Sequence, residues 1–401
     1  MALLPVEEAL ARLLADAAAL GSEHVTLLEA AGRVLSQPLA ATLTQPPFDA
    51  SAMDGYAVRA ADVATLPARL QVVGEAAAGR GFAGRVGVGE AARIFTGAPL
   101  PAGADAIVIQ EDCTAEGNVI TVRDGAPDAA HIRRRGGDFS EGAILLKAGV
   151  KLAARQITLA AAMGHAVLPV HRKPIVAILA SGDELVLPGT RPPPDQIVCS
   201  NPYGVAALLR AAGAVPRFLG IAADTRASLD AHIDRATGCD LLVTIGGASV
   251  GDHDLIAPVL AARGMTLDFW KIAMRPGKPM LYGRLGPMAV VGLPGNPVSA
   301  LICARVFLVP LIEKLSGLAA AATSTATAVT AVDLEANGPR THYMRATLES
   351  AKSGARAARP VRSQDSSLLS PLAAADCLIV RPVGAPAVPA GASVAILPLD
   401  F

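Results

Sequence analysis

The sequence predicts a multidomain α/β plus β protein with a central, doubly wound α/β domain. Three observations carry this. At 401 residues the chain exceeds one ordinary domain. Residues 174–315 alternate apolar strand-like runs with helical runs, the rhythm of a parallel sheet with crossover helices. Residues 44–138 and 331–401 are instead rich in Gly and Pro with short apolar runs, the texture of small β modules.

The elements follow in order. Pro5–Leu20 carries Val6, Leu10, Leu13, Leu14, Ala17 and Leu20 at helical spacing, with Pro5 in a first-turn position. Arg69–Val73 and Ala106–Ile109 read as strands within the β module. An Ala-rich helical segment returns from Lys151 to Val170, so the module is expected to be inserted into an elongated helical domain. In the α/β domain, strands are expected at Pro174–Ala180, Val215–Ile221, Leu241–Ile245, Pro279–Tyr282 and Met288–Gly292. Helices are expected at Pro202–Ala212, Thr225–Thr237, Leu255–Ala262 and Pro297–Leu315. Leu318–Thr330 reads as an Ala/Thr-rich linker, and Cys377–Val380 and Val394–Leu397 as strands of a small closing β domain. The resulting division is 1–43 with 139–170 as the elongated linking domain, its N-terminal helix able to pack on the α/β domain. The inserted β-rich domain is 44–138, the α/β domain 171–317 and the C-terminal β domain 318–401.

Composition excludes several classes. Lys+Arg and Asp+Glu both number 35, a zero net charge that argues against a general nucleic-acid binder. With 52% hydrophobic and 17% charged residues the chain is neither disordered nor fibrous. Aromatics at 3% disfavour a stacking platform for single strands. Cys113, Cys199, Cys239, Cys303 and Cys377 form no CxxC pair, which fits a reducing cytoplasm. Glu7 and Glu8 stand where a signal peptide would be basic. The uncharged stretches Leu285–Ala304 and Leu315–Val332 contain a Gly-Pro turn run and a polar Ala/Thr run, so no membrane span is expected.

Ligands of a doubly wound sheet lie beyond the carboxyl ends of its strands. The loops there are Ser181-Gly-Asp-Glu184, Gly246-Gly-Ala-Ser-Val-Gly251 and Gly292-Leu-Pro-Gly-Asn-Pro297. Gly247-Ala-Ser-Val-Gly251 spells a nucleophile elbow, but the only later histidines are His253 and His342, so an anion loop holding phosphate on Ser249 and its amides is the better reading. Gly79–Gly84 spells GxGxxG but opens no helix. Asp183, Glu184, Asp224, Asp252 and Asp254 converge on the same loops and suit a magnesium-assisted phosphate site; helix capping is the alternative, fitting Asp224 and Asp254 well. Lys271, Arg275 and Lys278 suit a polyanion, with Lys271 and Arg275 sharing a face if they lie on a strand. Asp54 and Thr96 read as turn residues, and Arg133–Arg135 as a basic patch or a solvated loop.

Six strings in order resemble the MoeA-type molybdopterin molybdenumtransferases, which include the gephyrin E domain: Ser51-Ala-Met-Asp-Gly-Tyr-Ala57, Thr96-Gly-Ala-Pro-Leu-Pro101, Ser181-Gly-Asp-Glu-Leu185, Gly246-Gly-Ala-Ser-Val-Gly-Asp252, Lys271–Pro279 and Gly292–Ala300. Arg340–Arg345 and Ser366–Ser370 match more loosely. The resemblance implies a MogA-like α/β domain, a C-terminal barrel-like domain and an elongated homodimer whose active site is shared between subunits. It implies the insertion of molybdate into adenylylated molybdopterin with magnesium-dependent release of AMP. Glu184, Asp224 and Asp254 would hold magnesium; Lys271, Arg275 and Lys278 would bind phosphate and oxyanion; Ser249, Gly246 and Gly247 would cradle the pterin phosphate. Ser181, Asp183 and Asn296 would complete the substrate loops. Ser299, Lys278 and Arg275 would bind molybdate with Arg345 and the serines Ser367 and Ser370. Asp54 and Thr96 would reach in from the partner subunit, and Asp138 fits the family's acidic position after a Gly. Arg275 departs from members with Lys there, which changes contact geometry while keeping charge. A molybdopterin adenylyltransferase and molybdoenzyme maturation factors are the partners the resemblance suggests. Adenylylation of molybdopterin, or pterin carriage without catalysis, are the alternative functions.

Overall fold

The computed structural model describes residues 3–125, 127–247, 255–319, 325–350 and 354–399. The chain forms two compact units, one of Met1–Glu23, Gly32–Ser36 and Pro169–Phe401, the other of His24–Ala31 and Gln37–Leu168. Helix α1, Val6–Ala15, opens the first unit. It starts directly after Pro5, whose fixed φ suits a helix entry, and it buries Val6, Ala9 and Leu13, the i, i+3, i+7 stripe of the sequence. That stripe packs in one core with Val176, Leu241, Val291 and Ile312 of the α/β domain.

The second unit is built on a six-stranded sheet. Its strands are β1 (Gly55–Val58), β2 (Ala68–Ala76), β3 (Glu90–Ile94), β4 (Ala106–Ile109), β5 (Cys113–Glu116) and β6 (Val119–Val122), in the order β4-β1-β3-β2-β6-β5. Both faces are covered. Val58, Leu70, Ala91, Val108 and Ile120 fill one side, and Ala57, Ala76, Ile94, Ile107 and Ile132 the other. The strands pack so closely at Gly55 that a Cβ there would stand 2.0 Å from the Val108 carbonyl oxygen. The helix expected from Lys151 to Val170 is shorter: α2 covers Ala154–Ala162, and Val167–His171 is a strand. Met163 and Gly164 end the helix, with Gly164 at φ +93, a conformation that favours glycine.

The α/β domain holds β7 (Ile175–Ser181), α3 (Asn201–Ala211), β8 (Val215–Ala222), α4 (Arg226–Asp234), β9 (Leu241–Ile245), α5 (Ile256–Ala262), β10 (Thr266–Trp270), β11 (Leu281–Leu285), β12 (Met288–Leu293), α6 (Pro297–Cys303) and α7 (Val309–Leu315). The sheet order is β8-β7-β9-β12-β11-β10. β8, β7, β9 and β12 are parallel, as the alternation requires, and their near-continuous apolar runs reflect burial on both faces. β11 and β10 are antiparallel, an edge the sequence reading did not foresee. Gly286 and Pro287 leave only a two-residue turn between β11 and β12, too short for a crossover. The helix expected over Pro297–Leu315 is interrupted by a wider turn at Ala304–Leu308, just before Pro310, which cannot supply a backbone N–H.

β13 (Ala326–Thr330), β14 (Thr341–Ser350), β15 (Arg356–Pro360), helix α8 (Leu369–Ala373), β16 (Cys377–Arg381) and β17 (Ser393–Pro398) follow. β14 pairs with both β15 and β16, so β14-β15-β13-β17-β16 closes into a five-stranded barrel around Ala346, Ala358, Ile379 and Ile396. The stretch expected to be a linker thus ends in a barrel strand. Met274–Arg275 pairs in parallel with Thr341–His342, seating Arg275 against the barrel. No helix among the described residues is long and apolar enough to cross a membrane.

Candidate active site

The chain order of the parallel strands places its reversal between β7 and β9, because β8 lies on one side of β7 and β9 on the other. Loops leaving the carboxyl ends of these strands diverge there and open a crevice. It is a cavity of about 1100 Å³. Ser181, Gly182 and Glu184 line it after β7, Gly246 and Gly247 after β9, and Pro294–Pro297 with Ser299 after β12. The barrel closes it with Arg340, Gln364, Asp365, Ser366 and Ser367.

Gly246 lies at φ +90, and a Cβ there would stand 2.7 Å from the Ser181 carbonyl oxygen. Only glycine lets the two loops meet this closely. The start of α3 (Ser200, Asn201, Pro202) and the start of α6 face the same cavity, and helix N-termini favour anions. Asn201 Nδ2 donates to the Gly295 carbonyl at 2.6 Å, and Asn296 Nδ2 to Ser366 Oγ at 2.9 Å, so adjacent residues of the loop after β12 are tied to the start of α3 and to Ser366.

One wall is acidic. Ser181 Oγ donates to Asp224 Oδ1 at 2.8 Å, and the Asp224 N–H donates to Asp183 Oδ1 at 3.0 Å. The Asp183 N–H reaches back to Asp224 Oδ2 at 3.4 Å. Asp224 is therefore held by the loop after β7. It is not the cap of α4, as capping had suggested; Thr225 is, accepting from the Ser228 N–H at 3.2 Å. Glu184 lies beside this pair on the cavity surface.

The lining also carries Arg275, Lys278 and Arg340, none of them ion-paired among the described residues. Behind them His342 is 9% exposed. Burial first, then Arg275, Arg340, Arg345 and Arg381, push its imidazole down to about 4, so it stays neutral and adds no charge at pH 7.

Of the expected site residues, Ser181, Glu184, Asp224, Gly246, Gly247, Arg275, Lys278, Asn296, Ser299 and Ser367 line this one cavity. Asp183 holds Asp224 but is not in the lining. Lys271 is elsewhere. Its φ of +70 breaks the strand alternation that would have put it on the Arg275 face, and its Nζ sits 5.1 Å from the Trp270 ring centroid. Arg345 is also absent from the lining. Its 1% exposed guanidinium donates to the carbonyls of Leu368 (2.8 Å), Asp365 (2.9 Å) and Ser363 (3.0 Å) and so shapes the barrel loop. Ser370 is taken into the first turn of α8. Ser249 and Asp254 lie outside the described residues. Arg340, Gln364 and Asn201 were not singled out from the sequence. The signal for Arg340 was its place in the same string as Arg345; the pairing of Arg275 with His342 decides between them.

Asp54, Thr96 and Asp138 belong to the second unit. Asp54 Oδ1 accepts from both the Thr96 N–H (2.8 Å) and the Thr96 hydroxyl (2.9 Å). These two bonds, in that order, hold the Asp54 carboxyl below its usual range, with a smaller pull from Arg93. Asp138 is exposed, its N–H on the Gln45 carbonyl at 3.1 Å.

Carboxylates, and cations that form no ion pair among the described residues, lining one crevice at the carboxyl ends of the strands define a polyanion-handling multidomain protein. Comparison with known proteins specifies it further. Residues 4–164 match the description "MoeA N-terminal region (domain I and II)", 177–314 "Probable molybdopterin binding domain" and 327–399 "MoeA C-terminal region (domain IV)". A molybdopterin molybdenumtransferase of Nostoc sp. is 37% identical over 95% of this chain and 89% of its own. That of Bacillus subtilis is 33% identical over 98% of this chain and 94% of its own. The crystal structure of a molybdopterin biosynthesis MoeA protein from Pyrococcus horikoshii superposes with a TM-score of 0.86 at 30% identity, covering 100% of both chains. The chain belongs to the MoeA family of molybdopterin molybdenumtransferases.

Proposed function

We propose that this protein is an enzyme of molybdenum cofactor biosynthesis that inserts molybdate into adenylylated molybdopterin and releases AMP. The observation that carries the reading is that Glu184 and Asp224 line one cavity together with Arg275, Lys278 and Arg340. A phosphoanhydride substrate brings several negative charges, and molybdate two more. The glycine loop and the helix starts of α3 and α6 favour the phosphate end. Arg275, Lys278 and Arg340 suit a tetrahedral oxyanion, the arginines by their fork and the lysine as a point charge. Binding both anions in one crevice brings the dithiolate and the metal oxyanion together as AMP leaves.

Magnesium fits this donor set. Among the described residues no group of three His, Cys, Asp or Glu could hold a metal. Magnesium needs no such cage; one or two carboxylates with substrate phosphate oxygens and water suffice. Glu184 and Asp224 would hold it, and when bound it would neutralise charge developing on the phosphoanhydride. Ser181 and Asp183 orient Asp224 for that task.

The test is AMP release from adenylylated molybdopterin with magnesium, with and without molybdate. Molybdate-dependent release is expected. ATP consumption with free molybdopterin and no molybdate would point to adenylylation instead, and tight pterin binding without AMP release to a carrier.

A further inference from the structure

We propose that Arg93, on β3, is a positioning residue that sets the orientation of the Asp54 carboxylate by clamping both strands that flank it. The proposal rests on the reading that Asp54 acts in molybdate insertion. Register places Arg93 directly opposite Tyr56, two residues beyond Asp54. Phe95 lies on the same face of β3's extension by the period of two and precedes Thr96. The guanidinium stands 5.0 Å from the Tyr56 ring centroid and 4.8 Å from that of Phe95. Its hydrogen bonds go to the two neighbours of Asp54. Arg93 Nη1 donates to the Gly55 carbonyl at 3.1 Å, and Nη2 to Gln110 Oε1 at 2.6 Å. The Gln110 N–H in turn donates to the Asp54 carbonyl at 3.1 Å.

These contacts form a closed loop. Arg93 holds Gly55 directly, holds Asp54 through Gln110, and packs on Phe95, whose neighbour Thr96 binds the Asp54 carboxylate twice. The arginine forms no ion pair among the described residues, so its fork serves backbone and amide acceptors. Only a planar, two-armed cation satisfies both acceptors while stacked between rings. Lysine keeps the charge over the rings but cannot span Gly55 and Gln110 together. Asp54 itself is exposed. Its direction is set by this scaffold, not by burial.

The experiment compares full-length Arg93→Met, Arg93→Lys, Gln110→Ala and Asp54→Asn with the unaltered protein in molybdate-dependent AMP release, with thermal unfolding measured alongside. Arg93→Met and Arg93→Lys are both expected to lower kcat roughly 10- to 100-fold, the cost of misplacing a reacting group by about 1 Å. KM for adenylylated molybdopterin should change less than about threefold, because the residue does not touch substrate. Asp54→Asn combined with Arg93→Met should be no slower than Asp54→Asn alone. Full kcat in Arg93→Lys, or a loss that only tracks the melting temperature, overturns the proposal. If the Arg93 variants do not fold, Gln110→Ala carries the test: a lowered kcat at unchanged KM supports the clamp, and an unchanged kcat overturns it. Wild-type kcat in Asp54→Asn would instead overturn the reading of Asp54 on which the clamp depends, a result distinct from inactive Asp54→Asn with fully active Arg93 variants.

Discussion

Arg340 and Arg345 stand five residues apart on one string of sequence and do different work. Arg340 lines the cavity, whereas Arg345 is buried and satisfies three loop carbonyls. Arg340→Ala should therefore leave the fold intact and raise KM for the anionic substrates about tenfold, read in AMP release. Arg345→Ala should instead lower stability by about 2 kcal/mol or more, read as a denaturant midpoint, since it orphans acceptors of a charged donor. Both arginines were visible in the sequence; which one lined the cavity was not, because adjacent strands, not spacing, aim the side chains. His342 adds a pH prediction. Its ordinary pKa is 6.5 and the folded value is about 4, so between these values the unfolded chain takes up a proton that the folded chain refuses. The stability this represents is present above about pH 6.5 and is lost as pH falls through 4, at most ~3 kcal/mol. His342→Gln should flatten the fall in melting temperature between pH 7 and pH 5; an unchanged fall would remove His342 as its source.

At the level of elements, the glycine loop after β9 is a tight joint of the site. Gly246→Ala demands both φ +90 and a Cβ 2.7 Å from the Ser181 oxygen. A loss of about 1–2 kcal/mol from the backbone conformation alone is expected, and displacement of Ser181 would disturb its bond to Asp224. Chemical denaturation and AMP release should both report it. The four parallel strands and their intervening helices were legible because buried parallel strands are continuous apolar runs. The antiparallel β10 was not. Thr266–Trp270 alternates poorly, with Asp268 in its middle, and only its pairing with β11 makes it a strand. The shared face of Lys271 and Arg275 was conditional on a strand: one residue at φ +70 resets the alternation, and no composition signal announces it.

For the whole molecule, the shared-site expectation is open to a direct test. If Asp54 of one subunit serves the cavity of its partner, mixed dimers of Asp54→Asn and Glu184→Gln chains would each hold one intact site. An equal mixture of the two inactive proteins, unfolded together and refolded, should recover about a quarter of wild-type AMP release. No recovery, with mixed dimers demonstrated by capture through an affinity tag carried by only one of the two variants, would mean that both residues act within one chain. The sequence carried the parallel strands and the loops that supply ten of the cavity residues, because hydrophobic period and loop position are local properties written in consecutive residues. The closure of the barrel, the seating of Arg275 beside His342, the exclusion of Lys271 and Arg345 from the cavity and the clamp around Asp54 are non-local. They depend on which strands pair, and pairing is settled by burial across the chain, where residues tens of positions apart meet.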